Sequence, residues 1–211
     1  MKYPRTFHLP WSEGVSDDDK VIHNLKCFFD KDIVITEKMD GENFSMDNIK
    51  TWARSLDSGD HVSRHYVKQI HGLIKHLIPN DMRICGENLH YGKSIFYDNL
   101  EDYILIFNIW NNDVCLSWKE TVEWCQLLDL KTVPMLYEGK WDNNLIYNLH
   151  KSLDTNKTEG FVIRNMDSFK YSEFKDNVVK WVRKDHVCTD VHWMHQKLIP
   201  NIKRKNHERI C

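Results

Sequence analysis

The chain has 211 residues, of which 41% are hydrophobic and 28% charged, a balance that excludes a disordered or membrane-embedded protein and allows one substantial core. A formal net charge of -2 gives no global basic footprint, so any nucleic-acid groove must be local, and Lys180, Arg183, Lys184, Lys203, Arg204 and Lys205 all fall in the last fifth. No apolar run reaches membrane-spanning length, and the start Met1-Lys2-Tyr3-Pro4-Arg5 lacks a signal-peptide core. Six cysteines without a Cys-x-x-Cys pair read as reduced thiols, so the cytoplasm is the expected location.

Residues 1 to 20 carry Pro4, Pro10, Gly14 and the acidic run Asp17-Asp18-Asp19, with too little periodicity for an element. They read as a surface segment packed by Trp11, or as a lip over a site. Val21, Ile22, Leu25 and Phe28 suggest a short helix over 21–29. Ile33, Val34 and Ile35 are a β-branched run suited to a buried strand, which ends at Lys38 before the turn signal Asp40-Gly41. On spacing alone, Lys38 is a strand-end lysine that snorkels to water beside a hairpin turn.

Phe44 and Met46 begin a returning strand, and 49–55 reads as another, with Arg54 near its end. Val62, Tyr66, Ile70, Leu73, Ile74 and Leu77 recur at helical spacing, with Ser58 or Asp60 as cap and Pro79 as stop. His61 and His65 have the i, i+4 spacing of a metal pair, but with His71 and His76 on the same helix all four are expected on its solvated face. Strands follow over 82–88 and 103–110, then a helix opened by the capping box Ser117-Trp118-Lys119-Glu120. A short strand over 133–137, a helix over 145–153, strands over 159–164 and 177–183, and a terminal helix over 186–198 complete the reading. No phosphate-binding Gly-x-x-x-x-Gly-Lys-Ser/Thr or Gly-x-Gly-x-x-Gly loop is present.

The order implies a mixed α+β chain with antiparallel hairpins, in one domain over residues 1–211. Polar residues stand at the ends of hydrophobic strands, where clefts form. Taken singly, Glu87 and Glu159 could be surface residues before turns, Phe107 a core residue, Arg54 a surface cation and Lys180 an edge-strand lysine.

The stretch Thr36-Glu37-Lys38-Met39-Asp40-Gly41-Glu42-Asn43-Phe44 closely resembles the nucleotidyltransferase motif of covalent ATP-dependent RNA ligases, especially the T4 RNA ligase 2-like branch. Asn43 and Arg54 resemble the asparagine and arginine that follow the nucleophile there. Gly86-Glu87-Asn88-Leu89 is similar to the strand-end glutamate motif, Tyr103 to Trp110 to the aromatic motif, Glu159-Gly160-Phe161-Val162-Ile163-Arg164 to the next, and Val178-Val179-Lys180-Trp181-Val182-Arg183 to the last. Six elements stand in order between residues 36 and 183.

The resemblance implies an adenylation-domain fold, ATP-grasp-like, with antiparallel sheets flanked by helices. It further implies ATP and Mg2+ or Mn2+ as cofactors, Lys38 as the residue that becomes AMP-linked, and RNA with 5′-phosphate and 3′-hydroxyl ends as partner. Glu37 is expected to recognise adenine, Phe107 to stack on it, and Asn43, Arg54 and Lys180 to line the nucleotide site. Glu87 and Glu159 are the expected ribose and metal-water carboxylates. A lysine amine with an ordinary pKa of about 10.4 must lose its proton to attack. Lys180, Arg54 and a bound metal are expected to favour the neutral amine.

Two departures accompany the resemblance. Relatives carry Lys-x-Lys in the last motif, but here Lys180 is followed by Trp181 and Val182, and alternation puts Arg183 on the other face. Relatives also carry a further C-terminal domain, whereas 28 residues follow the last motif here, so the core domain, the C-terminal helix or a protein partner is expected to engage RNA. Cys188, His192 and His195 have helical spacing compatible with part of a zinc site, or with a polar helix face. Other covalent nucleotidyltransferases, either a DNA ligase or a GTP-using capping-type enzyme, and a non-catalytic nucleic-acid end-binding module are the alternatives.

Overall fold

The computed structural model describes residues 2–55, 59–184 and 198–205. Twelve strands and three α-helices are formed there: β1 (Phe7–His8), β2 (Asp32–Lys38), β3 (Glu42–Met46), β4 (Thr51–Ala53), α1 (His65–Ile74), β5 (Met82–Asn88), β6 (Ile104–Asn111), β7 (Val114–Cys115), α2 (Trp118–Leu127), β8 (Lys131–Thr132), β9 (Met135–Lys140), α3 (Asn143–Ser152), β10 (Gly160–Asn165), β11 (Phe169–Lys170) and β12 (Val178–Val182). The expected α+β class with antiparallel sheets holds. None of the helices among the described residues is long and apolar enough to cross a membrane.

The strands make two sheets, one in the order β1-β12-β10-β2-β9 and one in the order β11-β7-β6-β5-β3-β4, with β8 added beside β6. Pairing is antiparallel except for two-residue parallel contacts of β1 with β12 and β8 with β6. Alternation along β2 shows how the layers arise. Ile33 and Ile35 point outward into a cluster with Leu9, Phe28, Ile146, Phe161 and Trp181, under α3 and the N-terminal segment. Val34 points the other way, into the space between the sheets, with Leu89, Leu105 and Trp118. The far face of the second sheet packs Phe44, Met46, Ile84, Ile106 and Ile109 against α1 and α2. The molecule is therefore layered, with the two sheets face to face in the middle.

The turn at Asp40-Gly41 corrects the hairpin expectation. β2 pairs with β10 and β9, whereas β3 pairs with β4 and β5, so the chain crosses from one sheet to the other at the residues following Lys38. Gly41 is required by that crossing. A Cβ there would lie 2.5 Å from the Asn88 carbonyl oxygen and 2.9 Å from Glu87 Cγ, because the turn passes over the end of β5.

Other differences have local causes. Residues 21–29 form only a three-residue 3-10 turn, Lys26–Phe28. Ile22 is held extended by its amide bond to the His8 carbonyl. The helix over 62–77 is an α-helix flanked by 3-10 turns, and its N-terminus is capped by His61, whose ring nitrogen accepts from the Ser63 amide at 3.2 Å. Asp60 instead pairs with Lys68 at 2.6 Å. His71, expected in solvent, is buried and lies 2.9 Å from the Asp47 carbonyl, while Leu73 and Leu77 are exposed.

Strand β4 is shorter than 49–55, because Asp47 accepts the Ile49 and Lys50 amides and holds them in a turn. The strand expected over 133–137 is shifted to β9, and α3 begins at Asn143 because Asp142 accepts the Asn144 and Leu145 amides. The Ser117 capping box forms as read. The terminal helix over 186–198, with Cys188, His192 and His195, lies outside the described residues save Leu198, which is not helical.

Candidate active site

The register of the first sheet decides which side chains share the inter-sheet face. Lys38 stands opposite Gly160, Thr36 opposite Val162, and Val162 opposite Lys180, so Lys38 and Lys180 project on the same side. In the second sheet Asn43 stands opposite Glu87. The Arg54 amide donates to the Asn43 carbonyl at 3.1 Å, which carries Arg54 into the next position of that row. The crossing at Gly41 brings the two rows together.

Lys38 Nζ donates to Glu159 Oε2 at 2.5 Å, with 25% of the lysine side chain and 8% of the glutamate side chain exposed. Glu159 reaches it because Gly160 lets β10 press against β12. Gly160 has φ +157°, and a Cβ there would stand 2.0 Å from the Trp181 carbonyl oxygen. Only glycine fits.

Burial pulls the Lys38 amine toward lower pKa, but the carboxylates of Glu159, Glu87 and Asp40 outweigh it and leave the pKa raised. At this amine the neighbouring carboxylates outweigh the expected cations Lys180 and Arg54, and Lys38 is paired with Glu159. The depressed lysine is Lys180, lowered first by burial and further by the charges of Lys38 and Arg54, against Asp19 and Glu159. Glu87 is pushed up to about 7, chiefly by burial, with Lys93 and Lys38 opposing and Glu159 and Asp40 adding to the rise. Lys38, Glu159, Glu87, Lys180 and Arg54 thus form one electrostatic cluster, with Asn43 beside Glu87.

Two expected residues stand apart from the charges. Glu37 alternates to the opposite face of β2, where burial raises its pKa against a hydrogen bond from Thr158. Phe107 is half-buried between the inter-sheet clusters, with the Tyr3 ring edge-on at 5.2 Å. Val182, where relatives carry the second lysine, is 1% exposed, its amide donating to Ser12 Oγ at 2.9 Å. Arg183 donates its amide to the Glu159 carbonyl at 3.0 Å.

Four contributors escape a reading of the sequence. Asp19 comes from the acidic run of the N-terminal segment. It lies 3.6 Å from Lys180 and 3.3 Å from His8, and its pKa falls to about 2: burial opposes the fall, and the Ser16 hydrogen bonds with the Lys180 charge produce it. Asp40 accepts from the Ser94 amide and hydroxyl at 2.8 and 2.7 Å and from the Ile95 amide at 2.8 Å. Tyr97 accepts the Asp40 amide at 2.9 Å. Lys93 supplies a positive charge to Glu87. An acidic run and a polar loop are the only sequence signals for Asp19, Tyr97 and Lys93, whereas Asp40 is legible as part of the turn and motif but not as the acceptor that this loop grips.

The sequence matches the RNA ligase family over residues 31–182. This chain belongs to the RNA ligase family. The matched span begins just before β2 and ends with β12, so every residue of the charged cluster named above lies inside it except Asp19. A search of the curated proteins returned no match.

Among solved structures, this RNA ligase family chain resembles an archaeal ATP-dependent RNA ligase, with TM-score 0.60 and 14% identity over 86% of this chain and 48% of that one. It also resembles a putative ATP-dependent DNA ligase from Aquifex aeolicus, with TM-score 0.58 and 17% identity over 86% and 50%. A third is a variant of Naegleria gruberi RNA ligase with ATP and Mn, with TM-score 0.52 and 17% identity over 86% and 58%. The chain spans about half the length of these proteins. The likeness establishes the ligase nucleotidyltransferase fold.

Proposed function

We propose that this chain is an ATP-dependent RNA ligase of the T4 RNA ligase 2-like branch, with an ATP-grasp-like adenylation fold over residues 1–211, that joins 5′-phosphate to 3′-hydroxyl ends through lysyl-AMP. The observation that carries the reading is Lys38, partly buried in one electrostatic cluster with two carboxylates and two further cations, inside the matched family span.

Lys38 Nζ, once deprotonated, attacks the α-phosphorus of ATP; the N–P bond forms, the bond to the bridging oxygen breaks, and pyrophosphate leaves with that electron pair. Glu159, 2.5 Å from Nζ, takes the proton. A 5′-phosphate oxygen then displaces Lys38 from phosphorus. Attack of the 3′-hydroxyl on the adenylated end releases AMP and closes the strand. Lys180 and Arg54 neutralise phosphate charge, Asn43 and Glu87 line the nucleotide site, Phe107 stacks on adenine, and Glu37 contributes to base recognition.

Glu87 and Glu159 fit a divalent metal that keeps most of its waters, since they are two hard oxygen donors facing one cleft. No cluster of three or more metal-binding side chains occurs among the described residues. Bound there, Mg2+ or Mn2+ would supply charge neutralisation at the phosphates.

Intact-protein mass spectrometry after incubation with Mg2+ and ATP, GTP or NAD tests this, with Lys38→Ala alongside. An AMP adduct from ATP alone, absent in the variant, is expected. No adduct from any donor, and none carried through purification, would overturn the reading. Because one structural relative is a putative ATP-dependent DNA ligase, ligation of nicked RNA and nicked DNA should be compared.

A further inference from the structure

Residues 198–205 return to the site from a distance. They lie along the loop between β5 and β6 and bond to it repeatedly: Gly92 N to Ile199 O at 2.9 Å, Ile202 N to Tyr97 O at 2.9 Å, Leu100 N to Ile202 O at 2.9 Å, and Arg204 N to Leu100 O at 2.7 Å. Lys203 is used here too. Its ammonium lies 3.3 Å from Asp102 and over the Tyr66 and Tyr103 rings.

The polarity of this segment is inverted. Ile199 and Ile202 are 54% and 51% exposed, whereas Asn201 between them is 2% exposed. Hydrophobic burial does not explain a strap that exposes its isoleucines and buries its amide. The asparagine is fully engaged: Nδ2 donates to the Leu89 carbonyl at 2.7 Å, Oδ1 accepts the Tyr97 amide at 2.9 Å, and its own amide donates to the His90 carbonyl at 3.1 Å. Buried, satisfied polar networks fix geometry more than they add stability.

What they fix is the loop that grips the nucleophile turn. Tyr97, whose amide Asn201 receives, accepts the Asp40 amide with its hydroxyl, and Ser94 and Ile95 of the same loop hold the Asp40 carboxylate. Asp40 is two residues from Lys38.

We propose that Asn201 is a positioning residue for the lysine nucleophile, acting through Tyr97 and Asp40, and that the 198–205 strap sets the geometry of the Lys38 turn. Its role in catalysis rests on the ligase reading, but its structural claim does not.

The test is hydrogen exchange of the Ser94 and Ile95 amides, read beside single-turnover adenylation, in Asn201→Ala, Asn201→Asp and Ile202→Pro. Asn201→Asp keeps the acceptor for Tyr97 and loses the donor to Leu89. Ile202→Pro removes the strap's donor to Tyr97 while changing an exposed side chain, and serves if Asn201→Ala does not fold. Faster exchange is expected at Ser94 and Ile95 than at core strands. Adenylation at saturating ATP should fall about tenfold with KM changed less than about twofold, Asn201→Asp lying between wild type and Ala. The loss should shrink in a Tyr97→Phe background, since both act on one contact. Unchanged exchange at Ser94 and Ile95 in a folded variant, or losses additive with Tyr97→Phe, would overturn the proposal. If wild type takes no nucleotide, the ligase reading fails, and the exchange pattern alone then decides whether the strap positions the turn.

Discussion

Lys38 and Glu159 face each other across two neighbouring strands, nitrogen to oxygen at 2.5 Å, because Gly160 opposite the lysine leaves room for β12 beyond it. The pair favours the charged form of Lys38. On the proposed ligase reading, entry of a triphosphate would have to redistribute the carboxylate as well as supply an electrophile.

Glu159→Gln should lower the pH at which Lys38 becomes neutral, because it removes the largest charge that raises the lysine pKa. Acylation of Lys38 by an amine-reactive probe, followed against pH without nucleotide, should shift to lower pH in the variant. The same linkage acts on stability. With a folded-state pKa above the unfolded one, the pair stabilises below the unfolded lysine pKa, and that contribution is lost as pH rises through the folded value. A reactivity profile unmoved by the substitution would show that Glu159 does not hold the proton on Lys38.

Asp19→Asn should weaken the N-terminal segment's hold on Lys180, by about 1 kcal/mol at neutral pH for a partly exposed pair. The Asp19 pKa is lowered from 3.8 to about 2, so its contribution is complete above about 4 and disappears as pH falls toward 2. Thermal melts of the two proteins should differ at pH 7 and converge in that acid window. A constant gap would assign the stabilisation to something other than the charge.

Glu42 lies in the nucleophile motif, yet its carboxylate is taken by Arg64, with Nε at 2.9 Å and Nη2 at 2.5 Å, and both side chains are largely buried. Arg64→Ala strands a buried carboxylate and should cost about 3 kcal/mol of stability. Glu42→Gln should retain Lys38 adenylation while lowering the melting temperature. Loss of adenylation in a fully folded Glu42→Gln would instead place the carboxylate in the chemistry.

Three glycines predict different outcomes. Gly41→Ala and Gly160→Ala force a Cβ to 2.5 Å and 2.0 Å from backbone oxygens, and both should lose at least about 1 to 3 kcal/mol together with adenylation. At Gly72 in α1 an added methyl group would meet nothing within 4 Å, so Gly72→Ala should stabilise by about 0.5 to 1 kcal/mol. Chemical denaturation of all three measures the contrast.

Much of the chain could be read from local signals. The strand over 82–88 matches residue for residue, because alternation and the Gly86-Glu87-Asn88 end agree on it. Ser117 caps as its spacing requires. The order of motifs located Lys38, Glu87, Glu159 and Lys180, which the fold brings into one charged cluster. What local signals lack is partner choice: Asp40-Gly41 announces a change of direction, and nothing in four residues says that the chain leaves one sheet for another. Asp19 is similar, since an acidic run looks the same whether it meets solvent or Lys180. The ionisation of Lys38 escapes a sequence reading for a related reason. Its cations are visible in the sequence, but the distance of Glu159 from its amine is set by the pairing of β2 with β10.

The partners of Lys38 also emerge from synthesis at different times. Lys38 and Glu159 are 121 residues apart, and ribosomes add roughly 5 to 20 residues per second, so the lysine waits seconds for its carboxylate. During that interval β2 also lacks β10, its neighbour toward the middle of the sheet, and exposes Ile33 and Ile35, which are wholly buried in the finished molecule. Nascent chains shorter than about Glu159 are therefore expected to need shielding by chaperones, and the carboxylate that pairs with Lys38 joins only as β10 emerges.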